Sequence, residues 1–287
     1  MDELVKKTGQ LLAMPRVVSD VLQLLDDQES ELTAIADCLA QDPALVALLL
    51  RLANSPAFAT LRRVESVSHA LSLLGRDPVR RLVIAGAVSR ASDRLPSQSL
   101  LPLEVFWRHS AYCAVIARLL AEGRGRHGKA LADSVFLGGL LHDLGQLVLF
   151  SQQPEAAHRA FLCSLGEPDT LTPEAAERAE LGFNHAELGS ALAEHWGLPP
   201  LLCAMLRYHH SPLLAPEEFH EAVALVHLAN TGAHLAELDS RDWDDAPPIE
   251  PQLWESLQIE PQSVLDAVEQ AQFRVLSVEA LREPEAS

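Results

Sequence analysis

"VFLGGLLHDLGQLVLF", residues 135–150, is a run of apolar residues and glycines interrupted only by a histidine, an aspartate and a glutamine. Read as a helix, it is apolar on almost every side, as a helix surrounded by its neighbours is. His142 and Asp143 then lie in the interior, where an ionised carboxylate cannot stand alone. It must be protonated, hydrogen-bonded, paired or bound to a metal. Adjacent helical residues point ~100° apart, so one partner serves both only from near the axis of a bundle. A metal ion held among several helices meets that requirement.

The flanking sequence is helical almost throughout. "ELTAIADCLAQ" sets Leu32, Ile35, Ala36 and Leu39 on one face. "DPALVALLLRLANS" opens with Asp42 as a cap and Pro43 in the first turn, and "RDPVRRLVIAGAVSRA" opens on a second Asp-Pro pair. "SVSHALSLLG" ends at Gly75, a C-terminal stop. No segment alternates with period two between hairpin signals, so the fold class is all-α. The Pro-containing stretch "SDRLPSQSLLP" marks a boundary near residue 100. The expected domains are an N-terminal helical bundle (1–100), a second helical domain (101–238), and an acidic Pro-rich linker with a C-terminal helix (239–287). That last helix docks either on the body or on a partner.

Of the 287 residues, 48% are hydrophobic, yet no apolar stretch approaches ~18 uninterrupted residues, so no membrane span is expected. The start "MDELVKKTGQ" lacks the pattern of a secretory signal, which points to a cytoplasmic setting. Cys38, Cys113, Cys163 and Cys203 show no CxxC spacing and read as reduced core residues. The net charge of −18 (22 Lys+Arg, 40 Asp+Glu) repels phosphate backbones and anionic lipid, so direct nucleic-acid binding is not expected. It suits instead a protein partner with a basic face. The one basic cluster, Arg76, Arg80, Arg81 and Arg90, is either a solvated helix face or a contact for an acidic partner.

His109, His185 and the pair His209–His210 fall on other helical segments, each about one helical hairpin from the next, so antiparallel packing can gather them around His142 and Asp143. For any single imidazole the plainer reading is a hydrogen-bonded core or surface histidine. His195, His220, His227 and His234 read that way. Trp107 and Trp196 read as core packing, walling the cavity. There is no GxSxG elbow and no GxxxxGK[ST] loop.

The order H…HD…H…HH resembles the HD superfamily and, more closely, its HDOD branch. The resemblance is carried by "LLAMPRVVSDVLQLLDD", "LAQDPALVALLLRLANSPAFA", "SVSHALSLLGRDPVRRLVI", "FWRHSAYCA", "FLGGLLHDLGQLVL", "NHAELGSALAEHWGLPPLLCAMLRYHHSP" and "AVALVHLAN", over roughly residues 5 to 237. It implies an N-terminal bundle followed by an HD-like helical domain. In the hydrolytic HD-GYP branch the implied metal ligands are His109, His142, Asp143, His185, His209, His210 and a last aspartate. Here Asn230 stands at that last position, and Gln146 stands where those relatives carry lysine. A neutral amide lowers the charge of the site, and the missing lysine removes a cation that would steady phosphate. No GYP tripeptide occurs. The resemblance thus implies a non-catalytic signalling module that acts through a protein partner. Its degenerate site holds iron, manganese, zinc, nickel or a small ligand, or is an empty polar cavity. The alternatives are a metal-dependent phosphohydrolase or cyclic-dinucleotide phosphodiesterase in which Asp143 bridges two metals, and a purely structural scaffold. Oligomeric state is not legible.

Overall fold

A computed structural model of the chain describes residues 1–11, 16–54, 63–92, 102–165 and 171–279. Among these residues the regular structure is helical, without a strand. In chain order the α-helices are α1 (Asp2–Leu11), α2 (Arg16–Asp26), α3 (Leu32–Leu39), α4 (Pro43–Ala53), α5 (Val67–Leu74) and α6 (Arg76–Ser92). They continue with α7 (Leu103–Glu122), α8 (Gly125–Leu141), α9 (Leu144–Gln152), α10 (Pro154–Ser164) and α11 (Pro173–Leu181). The last are α12 (His185–His195), α13 (Pro200–Tyr208), α14 (His220–Leu238), α15 (Pro251–Leu257) and α16 (Pro261–Glu279). The chain divides into two units, residues 12–94 with 274–287, and residues 1–11 with 95–273.

The first of these units is built on α2 to α6. Val18, Val21, Ile35, Leu39, Leu45 and Leu49 form its core. Asp42 Oδ1 accepts from Leu45 N–H at 3.1 Å and so caps α4, as the Asp-Pro signal requires. Gly75 follows α5 at φ 86°, a backbone that only glycine adopts without strain. Asn54, just past α4, donates to the carbonyls of Leu50 (2.7 Å) and Val64 (2.8 Å) and accepts from Val64 N–H (2.7 Å). One side chain thus joins the end of α4 to the approach to α5. The basic cluster is neither a solvated face nor a docking patch at Arg76 and Arg80. Arg76 donates to the carbonyls of Leu24, Asp27 and Ser30 where α2 ends, and Arg80 pairs with Asp26. The side chain of Arg90 lies outside the described residues.

The other unit surrounds α7, α8 and α14, which pack on one another, while α9 packs on α12 and α12 on α13. The first helix, grouped in the sequence with the N-terminal bundle, packs instead against α9 and α12. The C-terminal segment folds onto this unit. Trp243 meets Trp254 edge-on with centroids 5.5 Å apart, and Val264 and Val268 of α16 reach Gly232 of α14. At two helix crossings the missing side chain of a glycine lets backbones meet. A Cβ on Gly139 would lie 2.8 Å from Ala114 Cα, and one on Gly145 would lie 1.9 Å from His185 O. The pairs α7–α8 and α9–α12 are therefore in backbone contact. Residues 135–150 are not one helix: α8 stops at Leu141, His142 and Asp143 form a turn, and α9 begins at Leu144. Asp143 sits at φ −93°, ψ 14°. By length and composition Leu131–Gln152 suffices to cross a membrane, but 72% of its apolar window is buried within the chain, as in a core segment. Cys163 is exposed and Cys38 half-buried, so only Cys113 and Cys203 are core residues as expected; α10 turns Cys163 away from the packed side.

Candidate metal centre

The turn at His142–Asp143 brings both side chains to one point without the ~100° divergence of a continuous helix. His142 Nε2 lies 3.2 Å from Asp143 Oδ2. His109 on α7 places Nε2 3.9 Å from the same oxygen. The other oxygen, Oδ1, faces His185 Nε2 at 3.3 Å and His209 Nε2 at 3.5 Å. His210 Nε2 approaches His185 Nε2 at 2.9 Å. All six expected donors converge, and Asp143 turns one oxygen to each of two imidazole sets.

Outer contacts orient the rings. His142 Nδ1–H donates to Gly139 O (2.8 Å) and His209 Nδ1–H to Leu206 O (2.7 Å), which leaves each Nε2 directed inward. His185 donates to Glu177 Oε2 from both its ring Nδ1–H and its backbone N–H, each at 2.7 Å. Asn184 and Glu187 form a capping box that starts α12 at His185. His227, read in the sequence as outside the ligand set, donates Nδ1–H to the carbonyl of His209 at 2.7 Å and holds the end of α13. Asn230 presents Oδ1 to His109 Nε2 at 2.9 Å, so the residue at the missing aspartate position reaches the centre.

The electrostatics follow from burial. His142, His185 and His209 are fully buried and Asp143 is 6% exposed. Burial pushes the Asp143 carboxyl up, but the charge of His142 and the close approach of the His142, His185 and His209 imidazoles hold it well below the usual carboxylate range. Burial lowers His185, and Glu177 and Asp143 more than reverse this, to about 10. His142 is likewise raised well above its ordinary value, the charge of Asp143 overcoming burial. His209 falls to about 4 and His210 well below its ordinary value, desolvation dominating and their imidazole neighbours adding to it.

The donor set fits a divalent cation. His142 Nε2, His209 Nε2 and Asp143 Oδ1 are buried without a hydrogen-bond partner, which is costly unless something positive lies between them. Asp143, His185, His209 and His210 can hold an ion together, as can His109, His142 and Asp143. Imidazole and carboxylate suit zinc, iron, manganese or nickel. Three contributors were not singled out from sequence: Glu177, Glu237, whose Oε2 lies 3.1 Å from His109 Nδ1, and Gly145. His234, read in the sequence as a hydrogen-bonded core or surface histidine, lies with its ring centroid 4.8 Å from that of His109, the planes tilted by 48°. The spacing of Asn230, His234 and Glu237 along one helix face was the available signal.

Comparison with known proteins agrees with this geometry. The chain is 29% identical over 220 residues to an uncharacterized protein of Treponema pallidum (strain Nichols), covering 76% of this chain and 41% of that one, so it spans well under half of that relative's length. Its structure is similar to a crystal structure of an HDOD domain protein of unknown function from Geobacter sulfurreducens (25% identity, 93% of this chain and 88% of that one, TM-score 0.66). It also shares the fold of a proposed phosphohydrolase from Shewanella amazonensis SB2B (24% identity, 96% and 97% covered, TM-score 0.72). The model of the HDOD domain family matches residues 11–212, most of the chain, including all six converging donors and the bundle that precedes them. On this ground the chain belongs to the HDOD domain family.

Proposed function

We propose that the chain is a non-catalytic signalling module that acts by binding a protein partner, and that its buried centre holds a divalent transition metal as a structural or ligand-sensing element. The observation that carries this reading is Asn230. Its amide is hydrogen-bonded to His109 Nε2 where the hydrolytic pattern calls for a carboxylate. Asp143 is then the one carboxylate among the converging ligands, so two divalent cations would be left strongly under-neutralised. Gln146, half-buried three residues after Asp143, offers no charge to a phosphate. The net charge of −18 favours a partner with a basic surface over a nucleic acid.

The test is an assay of the metal-loaded chain against cyclic dinucleotides and nucleotides. The expected rate equals that of Asp143→Ala. Turnover that Asp143→Ala abolishes would overturn the proposal. Partner capture supplies the positive arm: His142→Ala and Asp143→Ala should weaken it, and capture unchanged in folded variants reduces the centre to a scaffold.

One observation favours the second reading, a metal-dependent phosphohydrolase. Asp143 turns its two oxygens to separate imidazole sets, as a bridging carboxylate would. A metal held there would supply Lewis-acid chemistry. This chain's residues would fix the imidazoles through Gly139, Leu206 and Glu177 and exclude water by burial.

A further inference from the structure

Beyond Asn230, α14 carries two more polar side chains on the same face, His234 one turn on and Glu237 two turns on. His234 lies with its ring 4.8 Å from that of His109, and Glu237 Oε2 lies 3.1 Å from His109 Nδ1. One donor atom from each of the three falls within 4.8 Å of the others.

The centre around Asp143 leaves these groups without a role. The His234 ring nitrogens have no hydrogen-bond partner among the described residues, and Glu237 Oε1 is buried without one. His109 also differs from His142 and His209. Their Nε2 atoms are unpartnered, whereas His109 Nε2 already meets Asn230 Oδ1 and stands 3.9 Å from Asp143, the longest approach in the cluster. His109 Nδ1 faces the Glu237 carboxylate with the His234 ring alongside, a geometry that a cation can draw into ligation. Tetrahedral ligands each ~2.1 Å from zinc stand about 3.4 Å apart, a few tenths of an ångström more than the 3.1 Å found.

We propose that His109, His234 and Glu237 form a second divalent-cation site, distinct from the one at Asp143. It goes beyond the functional reading above and shares no ligand with the half-site of Asp143, His185, His209 and His210. Two imidazoles and a carboxylate suit zinc or a similar borderline ion and leave coordination positions open. Glu237 is partly exposed, so the ion can exchange with solvent.

The experiment titrates the metal-stripped full chain with Zn2+ by calorimetry and with Co2+ by absorption, with circular dichroism to confirm folding. Wild type should bind two equivalents. His234→Ala should lose one and keep the other; Asp143→Asn should do the converse. If His234→Ala does not fold, the near-isosteric Glu237→Gln decides. It should weaken one equivalent by more than about 100-fold, beyond the ~10–100-fold expected for an outer-shell contact, and spare the other. Two equivalents retained in His234→Ala, or a smaller loss in Glu237→Gln, overturns the second site. A single wild-type equivalent lost only in Asp143→Asn overturns the second site alone. A single equivalent lost only in His234→Ala overturns instead the metal centre at Asp143. Absence of binding overturns both.

Discussion

Gly145 and Gly189 face each other across the α9–α12 crossing, and the two positions should respond very differently to the same added methyl group. A Cβ on Gly145 would stand 1.9 Å from His185 O, 2.7 Å from His185 C and 2.9 Å from Gly189 N. Non-bonded heavy atoms settle near ~3.5 Å, so α9 and α12 must part by on the order of 1.5 Å. All three obstacles are backbone, which no rotamer change relieves. Overpacking of this kind costs about 3 kcal/mol, the upper end of the usual range. For a unit of this size that lowers Tm by roughly 6–12 °C. A Cβ on Gly189 meets only Gly145 N at 3.0 Å, with the next contact at 3.6 Å, so a few tenths of an ångström of adjustment suffice. About 1 kcal/mol or less is expected there. The site reads the same difference. His185 moves with the start of α12, and metal ligands tolerate displacements of only about 0.2 Å. Gly145→Ala should therefore lose Zn2+ affinity by at least roughly 10-fold, while Gly189→Ala keeps it within a few-fold. Differential scanning calorimetry and Zn2+ titration of the two variants check this. Equal Tm losses, or Gly145→Ala with wild-type affinity, would refute the reasoning that this backbone contact sets the position of His185.

Metal uptake should release protons. Because His142 and His185 are held above their ordinary values by Asp143 and Glu177, both carry a proton near neutrality that a cation must displace. Apparent affinity should rise with pH up to about 10, where His185 loses its proton unaided. Calorimetry in buffers of different ionisation enthalpy should give up to two protons per ion, and none released would contradict this charge assignment. Asn230→Asp restores a carboxylate beside His109 and should tighten binding by about 10-fold or more, read as a lower free-metal midpoint. Asn54→Ala removes three hydrogen bonds at the end of α4 and should destabilise its unit by about 2–3 kcal/mol. A urea midpoint unchanged from wild type would show that Asn54 does not clamp that segment.

The signals legible in the sequence are those written in local chemistry. Asp42 before Pro43 and Gly75 after Leu74 punctuate helices through backbone rules that do not depend on what packs nearby. That His109, His142, Asp143, His185, His209 and His210 gather in one place was legible only from their order and the family that order resembles, since each histidine alone reads as an ordinary core or surface residue. The break at His142–Asp143 was not. An unbroken apolar run has no face, so periodicity cannot distinguish one buried helix from two joined by a turn. Glu177 and Glu237 carry no such signal, because an acidic residue on a helix reads as solvent-facing until the packing of α11 and α14 is known. Arg76 and Arg80 misled in the opposite sense: a basic stripe on α6 proved to be the partner of carbonyls and a carboxylate supplied by α2 and the residues just after it.

The turn at His142–Asp143 separates two helices that pack differently, α8 against α7 and α14, α9 against α12. An ion on the two oxygens of Asp143 would therefore be a cross-link among segments distant in sequence, closing several long loops at once. Such a cross-link would stabilise the fold whether or not anything is hydrolysed. His142, Asp143, His185 and His209 would in that case have a task that needs no chemistry.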